Sequence, residues 1–159
     1  MADGAANGGG RKDLSAIFDA LEHPDVYMIS YLANAMVIPF YDRLKREHGL
    51  SRGEYLLLLG LSHFPELTAQ DVARMSRRPR NTISRAVHRM VAEGCIARAP
   101  DPGDGRQARL TITPKGRALF ETVAGLIGEG QERALGGLDS EERARLRALL
   151  RKAARSAPD

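Results

Sequence analysis

TAQDVARMSRRPRNTISRAVHRMVAEG, residues 68 to 94, carries the pattern of two short helices set close together. Thr68 is a good helix cap, and Asp71 three positions on completes a capping box, so a helix starts here and runs to Met75. A second begins at Pro79, a favoured first-turn residue, and ends at Gly94, a favoured terminator. Helices of about two and four turns joined by a tight connection form a helix-turn-helix candidate.

Counting at helical spacing separates two faces on the second helix. Ile83, Val87, Met90 and Val91 make an apolar stripe that packs, while Asn81, Ser84, Arg85 and His88 make a polar one nearly opposite. The polar stripe fits a DNA major groove. Arginine can bond guanine bidentately and asparagine adenine, while Ser84, His88 and Thr82 can reach phosphates or base edges. On the helix alone, a solvated basic face accounts for the same residues equally well.

The following run, Cys95 to Thr113, shifts that balance. Two strand-like segments, Cys95 to Ala99 and Ala108 to Thr113, flank a loop holding Pro102, Gly103 and Gly105, which reads as a hairpin. Arg106 and Arg109 are expected to extend beside the helix, to enter a minor groove or hold phosphates, with Asp104 close enough to brace one of them. A helix-turn-helix followed by a basic hairpin is a winged helix.

Asp104-x-Arg106, then Leu110-x-Ile112-Thr113 and Lys115-Gly116, resembles the wing signature of the MarR family of bacterial transcriptional regulators. The preceding NTISRAVHRMVAEG is similar to that family's recognition helix. The resemblance covers roughly Val26 to Arg155 in the order of elements, with its sharp motifs confined to Thr68 through Gly116. Two departures stand out. Gly105 lies where many members have a second arginine, and Arg77-Arg78-Pro79 lies where a glycine and an apolar residue are more usual.

Length and composition set outer bounds. A chain of 159 residues with 43% hydrophobic content is enough for a core and is not a disordered sequence. A net charge of +4 permits a polyanionic partner without requiring one. Residues 1–12 read as a glycine-rich disordered tail without the apolar segment of a signal peptide. No apolar run is long enough for a membrane helix, so a soluble, cytoplasmic protein is expected. The single cysteine excludes an internal disulfide.

Outside the winged helix the pattern is helical. Asp13 to Glu22 reads as a short amphipathic helix, interrupted by His23-Pro24. Val26 to His48 is apolar over most of its circumference, which demands burial on several sides, and Pro39 is expected to kink it. Ser51 to Phe64 opens with a Ser51–Glu54 capping box. Lys115 to Gly130 and Leu138 to Arg155 complete the set, the former rich in glycine and the latter capped by Asp139 with Glu142. The expected fold is mainly α with a small β-hairpin wing.

Its expected domains are residues 13–50 and 117–155 as amino- and carboxy-terminal helical segments around a winged helix-turn-helix at 51–116. A winged helix of about 65 residues buries its own core, so surplus apolar surface on the flanking helices points to a second interface. The resemblance implies that these helices interlock across a two-fold axis into a homodimer. Two recognition helices would then face half-sites about one DNA turn apart, on a pseudo-palindromic operator.

Catalytic motifs are missing from the pattern. The four histidines are scattered without metal-ligand spacing, and there is no nucleophile elbow, phosphate loop or dinucleotide fingerprint. No enzyme, cofactor or metal site is expected. Cys95, at the start of a strand, reads as a small buried residue ahead of a redox sensor. The resemblance implies a small aromatic or anionic effector in a crevice beside the dimerisation helices, with Tyr31 and His63 as lining candidates, while core or interface packing is their commoner role. Arg43 and Arg46 read as solvated.

The expectation is therefore a sequence-specific, ligand-responsive repressor that binds double-stranded DNA. Arg80, Asn81, Thr82, Ser84, Arg85, His88, Arg106 and Arg109 form its contact set. An architectural DNA-binding protein of low specificity is the alternative, ahead of a redox-sensing regulator or a protein-interaction module.

Overall fold

The computed structural model describes residues 14–103 and 107–157. The tail expected at residues 1–12 lies outside them, as do Asp104, Gly105 and Arg106 of the hairpin. The chain divides between Asn34 and Ala35 into two compact units.

The first unit holds a 3-10 helix, Leu14–Ala20, and the beginning of α1, Pro24–His48. The 3-10 form replaces the amphipathic α-helix expected here, since so short a segment cannot sustain an α-helix by propensity. Pro24 is the first residue of α1, where its missing N–H costs nothing, so the helix starts two residues before Val26. Phe18 meets Tyr31 edge-on, with ring centroids 5.5 Å apart. Val26, Tyr27, Met28, Ile29 and Tyr31 are exposed.

Along the whole of α1 only Phe40 and Leu44 are buried. A helix apolar over most of its circumference is thus largely uncovered within one chain, contrary to the burial its sequence demands. It passes Pro39 without a break. Proline has no N–H to donate to the helix ladder there.

In the second unit, α2 (Arg52–His63), α3 (Ala69–Ser76), α4 (Arg80–Ala92) and α5 (Pro114–Ala124) surround a core with a three-stranded antiparallel sheet. Its strands, β1 (Leu67–Thr68), β2 (Ile96–Pro100) and β3 (Ala108–Ile112), lie in the order β1-β3-β2. Leu57, Leu58, Val72, Ile83, Met90, Leu110 and Val123 are fully buried at its centre. β1 has only two residues, too few for any alternation to reveal, and it pairs Leu67 with Leu110 and Thr68 with Arg109.

The single helix expected from Lys115 to Gly130 is two, α5 and α6 (Leu126–Ala134), separated at Gly125. Gly130 serves a close approach: a Cβ there would lie 2.8 Å from the Met36 carbonyl oxygen. Arg43, which its sequence context leaves solvated, pairs with Glu47 at 2.8 Å and with Glu129 of α6 at 2.9 Å. Arg46 likewise pairs with Glu47, at 3.1 Å. The last helix, α7 (Ser140–Ser156), starts from the expected Asp139–Glu142 capping box and buries none of its residues.

Candidate nucleic-acid interface

The site begins at the start of α3. Asp71 accepts hydrogen bonds from the Thr68 backbone N–H at 2.9 Å and from the Thr68 hydroxyl at 2.7 Å, while its own N–H donates to that hydroxyl at 3.1 Å. The bonds from Thr68, the backbone one foremost, hold the Asp71 carboxyl below the usual aspartate range. The turn after α3 is set by Arg77, at φ 53° and ψ 35°, the one non-glycine residue with positive φ among the described residues. Its N–H bonds the carbonyls of Ala73 and Arg74, and the Arg78 N–H bonds Ala73 at 3.1 Å. The left-handed geometry that glycine normally supplies is therefore kept with an arginine, at a cost of about 1 kcal/mol.

Pro79 stands one place before the helix, as the N-cap of α4, and its carbonyl accepts from Thr82 at 3.0 Å and Ile83 at 3.3 Å. α4 buries Ile83, Ala86, Val87 and Met90. Val91, expected in that stripe, is 37% exposed, because it falls beyond Val87 at one side while the buried arc extends past Met90 to Ala86 at the other. Asn81, Ser84, Arg85 and His88 are exposed on the other side, as their spacing predicts. Thr82 is half-buried, with its methyl directed at Gly53 of α2, where an added Cβ would lie 3.6 Å away. Arg80 donates from Nη2 to Gln70 Oε1 of α3 at 2.7 Å.

Arg89 orients the helix without joining its exposed stripe. Its Nη1 donates to the Gly49 carbonyl at 3.1 Å and to both oxygens of Glu54 at 3.2 Å, while its Nε pairs with Glu93 at 2.8 Å. Glu54 is buried, and it also accepts from the Ser51 backbone N–H at 2.7 Å. A single arginine thereby ties α4 to the cap of α2.

The hairpin is anchored through Thr113. Its backbone N–H and its hydroxyl both donate to the Cys95 carbonyl, at 3.1 and 3.0 Å, and the hydroxyl also lies 2.8 Å from the Gly94 carbonyl. Lys115 donates to the carbonyl of Glu93, the C-cap of α4, at 2.7 Å, where a cation complements the helix dipole. Leu110, Thr113, Lys115 and Gly116 of the wing motif thus perform structural work.

Arg109 lies across from Thr68 and follows the opposite face of the sheet from Leu110. Its Nε donates to Asp101 at 2.9 Å, and its Nη1 pairs with Glu66. These two carboxylates, Asp101 first, raise the arginine further above its ordinary value. Asp101 and Glu66 thus brace this arginine, while Asp104, the brace expected from the sequence, lies outside the described residues.

Arg98 behaves differently. It pairs across the strands with Leu110 and so shares the face that covers α4. Between that face and the exposed stripe of α4 runs a groove lined by Gln70, Arg80, Ser84, His88, Arg98 and Gln107, floored by Val87 and Leu110. Separate shallow hollows adjoin it, one bordered by Asn81 and the other by Pro100. No carboxylate among the described residues lines the groove. The sequence did contain a signal for Arg98, namely its register opposite an apolar strand residue. Gln70 and Gln107 are neutral and left no comparable mark.

Of the two proposed effector residues, Tyr31 belongs to the first unit, exposed beside Phe18, and His63 to the second. His63 ends α2, exposed, with Nδ1 2.9 Å from the Leu59 carbonyl and its ring edge-on to Phe120 at 6.4 Å. Cys95 is buried, and burial pushes its thiol up despite the nearby Lys115.

An exposed donor-rich helix, packed through its apolar side onto a second helix and flanked by a three-stranded wing, defines a winged helix-turn-helix DNA-binding protein. The profile of the MarR family matches residues 48–107. The uncharacterized HTH-type transcriptional regulator YybA of Bacillus subtilis is 31% identical over 101 residues, 64% of this chain and 67% of that protein. A MarR-family regulator from Silicibacter pomeroyi has the same fold, with a TM-score of 0.72 at 24% identity over 93% of this chain and 99% of that one. BpsR of Bordetella bronchiseptica, whose DNA binding is regulated by 6-hydroxynicotinic acid, matches with a TM-score of 0.65 at 24% identity over 80% of this chain and 98% of its own. The chain belongs to the MarR family of transcriptional regulators.

Proposed function

We propose that this regulator is a ligand-responsive repressor that binds a pseudo-palindromic operator as a homodimer. The observation that carries the reading is the division of α4, whose buried side fixes the helix while Asn81, Ser84, Arg85 and His88 stand exposed together. In this reading Arg85 and Asn81 meet base edges, and Arg80, Thr82 and Ser84 meet the strand that borders them. Arg106 enters the minor groove from the hairpin tip, and Arg109 holds a phosphate with the donors its two carboxylates leave over.

Dimerisation is supported by the apolar residues that single chains leave uncovered: Val26, Tyr27, Met28, Ile29 and Ile38 on α1, and Leu149 and Leu150 on α7. Residues 13–50 and 117–155 serve as the dimerisation segments in this reading, and 51–116 as the reader. A small aromatic or anionic molecule is the effector class, in keeping with the regulation of the similar BpsR. A rigid dimer repressed by spacing alone would release DNA when the effector shifts its two helices off a one-turn separation. The absence of a membrane-spanning helix among the described residues fits a cytoplasmic site of action.

Fluorescence anisotropy on DNA from upstream of its own gene and on a scrambled duplex tests the reading. A preference of a thousandfold or more is expected for a specific regulator. Equal, steeply salt-dependent binding to both would instead establish the architectural alternative. Arg85→Ala should cost about 1–3 kcal/mol and relax preference at one base position; unchanged affinity and preference would remove Arg85 from the reading set.

A further inference from the structure

Among the described residues Glu54 is the one charged side chain that is buried. Taking a carboxylate out of water is costly unless a cation and hydrogen-bond donors meet it, and the cap of α2 together with α4 supplies both. The Ser51 N–H reaches Glu54 Oε2 at 2.7 Å, and Arg89 Nη1 lies 3.2 Å from each carboxylate oxygen. The same Nη1 donates to the carbonyl of Gly49, just past α1, while Nε holds Glu93 one turn further along α4. The guanidinium is thus fixed at Gly49, Glu54 and Glu93 together.

These contacts gather on one flank of α4. At about 100° per residue, Arg89 falls between the exposed Arg85 and the buried Ala86. On this flank α4 lies against α2, where a Cβ on Gly53 would stand 3.4 Å from the Ala86 Cβ and 3.6 Å from the Thr82 methyl. The opposite flank, with Ser84 and Val87, faces the groove beside the wing.

We infer that Arg89, anchored by the buried Glu54, sets the roll of α4 about its own axis and with it the sequence selectivity of the regulator. The inference rests on the DNA-binding reading and adds to it two positioning residues that touch no DNA. The apolar contacts of Ile83, Val87 and Met90 hold α4 on the core, but such contacts are non-directional and tolerate a small roll. A side-chain tip about 6 Å from the axis moves about 2 Å for a roll of about 20°. That is enough to break a hydrogen bond to a base edge. Flexible cations on phosphates follow such a shift, so the roll governs discrimination ahead of general affinity. Two carboxylates already meet the Arg89 charge, which sets it apart from a cation that neutralises a phosphate.

The test uses the full-length protein, a duplex it selects from a random-sequence library, and a scrambled duplex of equal length. Arg89→Met and Glu54→Gln are each expected to lower the ratio of selected to scrambled affinity about tenfold, the worth of one weakened base contact. The slope of log affinity against log salt stays at the wild-type value in both, whereas loss of a phosphate-holding arginine lowers it by about 1 per subunit. Glutamine can serve in a capping box as glutamate does, so Glu54→Gln removes the anchor of Arg89 and leaves the start of α2 in place. The double variant leaves no unpaired buried charge, and it should lose no more selectivity than either single one, because the two residues act as one device. Circular dichroism at the assay temperature checks folding, and the double variant carries the test alone if a single one unfolds.

A lowered melting temperature with an unchanged affinity ratio makes the pair structural only and overturns the inference. A slope reduced by about 1 in Arg89→Met, with Glu54→Gln binding like wild type, makes Arg89 a phosphate contact and overturns it too. Additive losses in the double variant do the same. Wild-type protein that binds both duplexes equally, or neither, overturns the specific DNA reading and the positioning role together.

Discussion

Gly116→Ala is expected to unfasten the wing. A Cβ at this position would lie 2.0 Å from the Cys95 carbonyl oxygen and 2.9 Å from its carbon, whereas real Cβ atoms essentially never come closer than 3.0 Å. Backbone must therefore move by about 1 Å, because neither contact is the end of a flexible side chain. The same carbonyl accepts from the Thr113 N–H at 3.1 Å and its hydroxyl at 3.0 Å, and a displacement of that size breaks both. Two bonds at about 1 kcal/mol each, with about 2 kcal/mol for forced packing, outweigh the roughly 1 kcal/mol that alanine gains over glycine in a helix. The net is about 3 kcal/mol, or a fall in Tm on the order of 10 °C for a chain of this size. Thermal unfolding followed by circular dichroism measures it. Gly128→Ala is the control, since nothing lies within 4 Å of its Cβ position and helix propensity should then stabilise it slightly. A Gly116→Ala protein melting within 1 or 2 °C of wild type would refute the steric argument.

Arg77→Gly relieves the left-handed strain in the turn but loosens the unfolded chain, for a net gain of about 0 to 1 kcal/mol by denaturant unfolding; a clear loss would show that the arginine side chain contributes more than its backbone costs. Asp71, whose carboxyl is held low in the folded protein, contributes stability that is present above the unfolded aspartate value near 4 and is lost as pH falls through the lower folded value. Asp71→Asn should therefore flatten the acid limb of the stability profile below about pH 4 while lowering stability at neutral pH. A profile parallel to wild type would deny that linkage. The buried Cys95 thiol, pushed up by desolvation, should react slowly with Ellman's reagent in the folded protein, and peroxide should leave DNA binding unchanged. Rapid labelling or loss of binding would reinstate redox sensing.

The elements easiest to find in the sequence were those whose signals are local. The capping boxes at Ser51, Thr68 and Asp139 form as their three-residue spacing predicts, and Gly94 ends its helix at φ 70°. The polar side of α4 follows from periodicity alone. What periodicity could not reach were features made by distant segments. β1 exists only because Leu67 finds Leu110, and the break at Gly125 has no counterpart at Gly128, whose backbone stays helical. Arg109 and Arg98 look alike in a string of letters. Strand register sends the first to Asp101 and Glu66 and the second to the groove. Ideal spacing puts Val91 on the apolar stripe, but such a stripe has no sharp edge, and solvent reaches it.

Those capping boxes also bear on the order in which the chain folds. Ser51 with Glu54, and Thr68 with Asp71, close loops of only three residues, so each fixes a helix start without waiting for any remote segment. Contacts of such short range form early, since almost no loop entropy opposes them. The pairing of β1 with β3 must come later, because α3, α4, β2 and the loop after it separate them in the chain. α2 and α3 can thus take their registers while the chain is still being synthesised, leaving strand pairing as the slow step. Mutants at these caps, like those at Leu67 or Leu110, should accordingly fold more slowly with little change in unfolding rate.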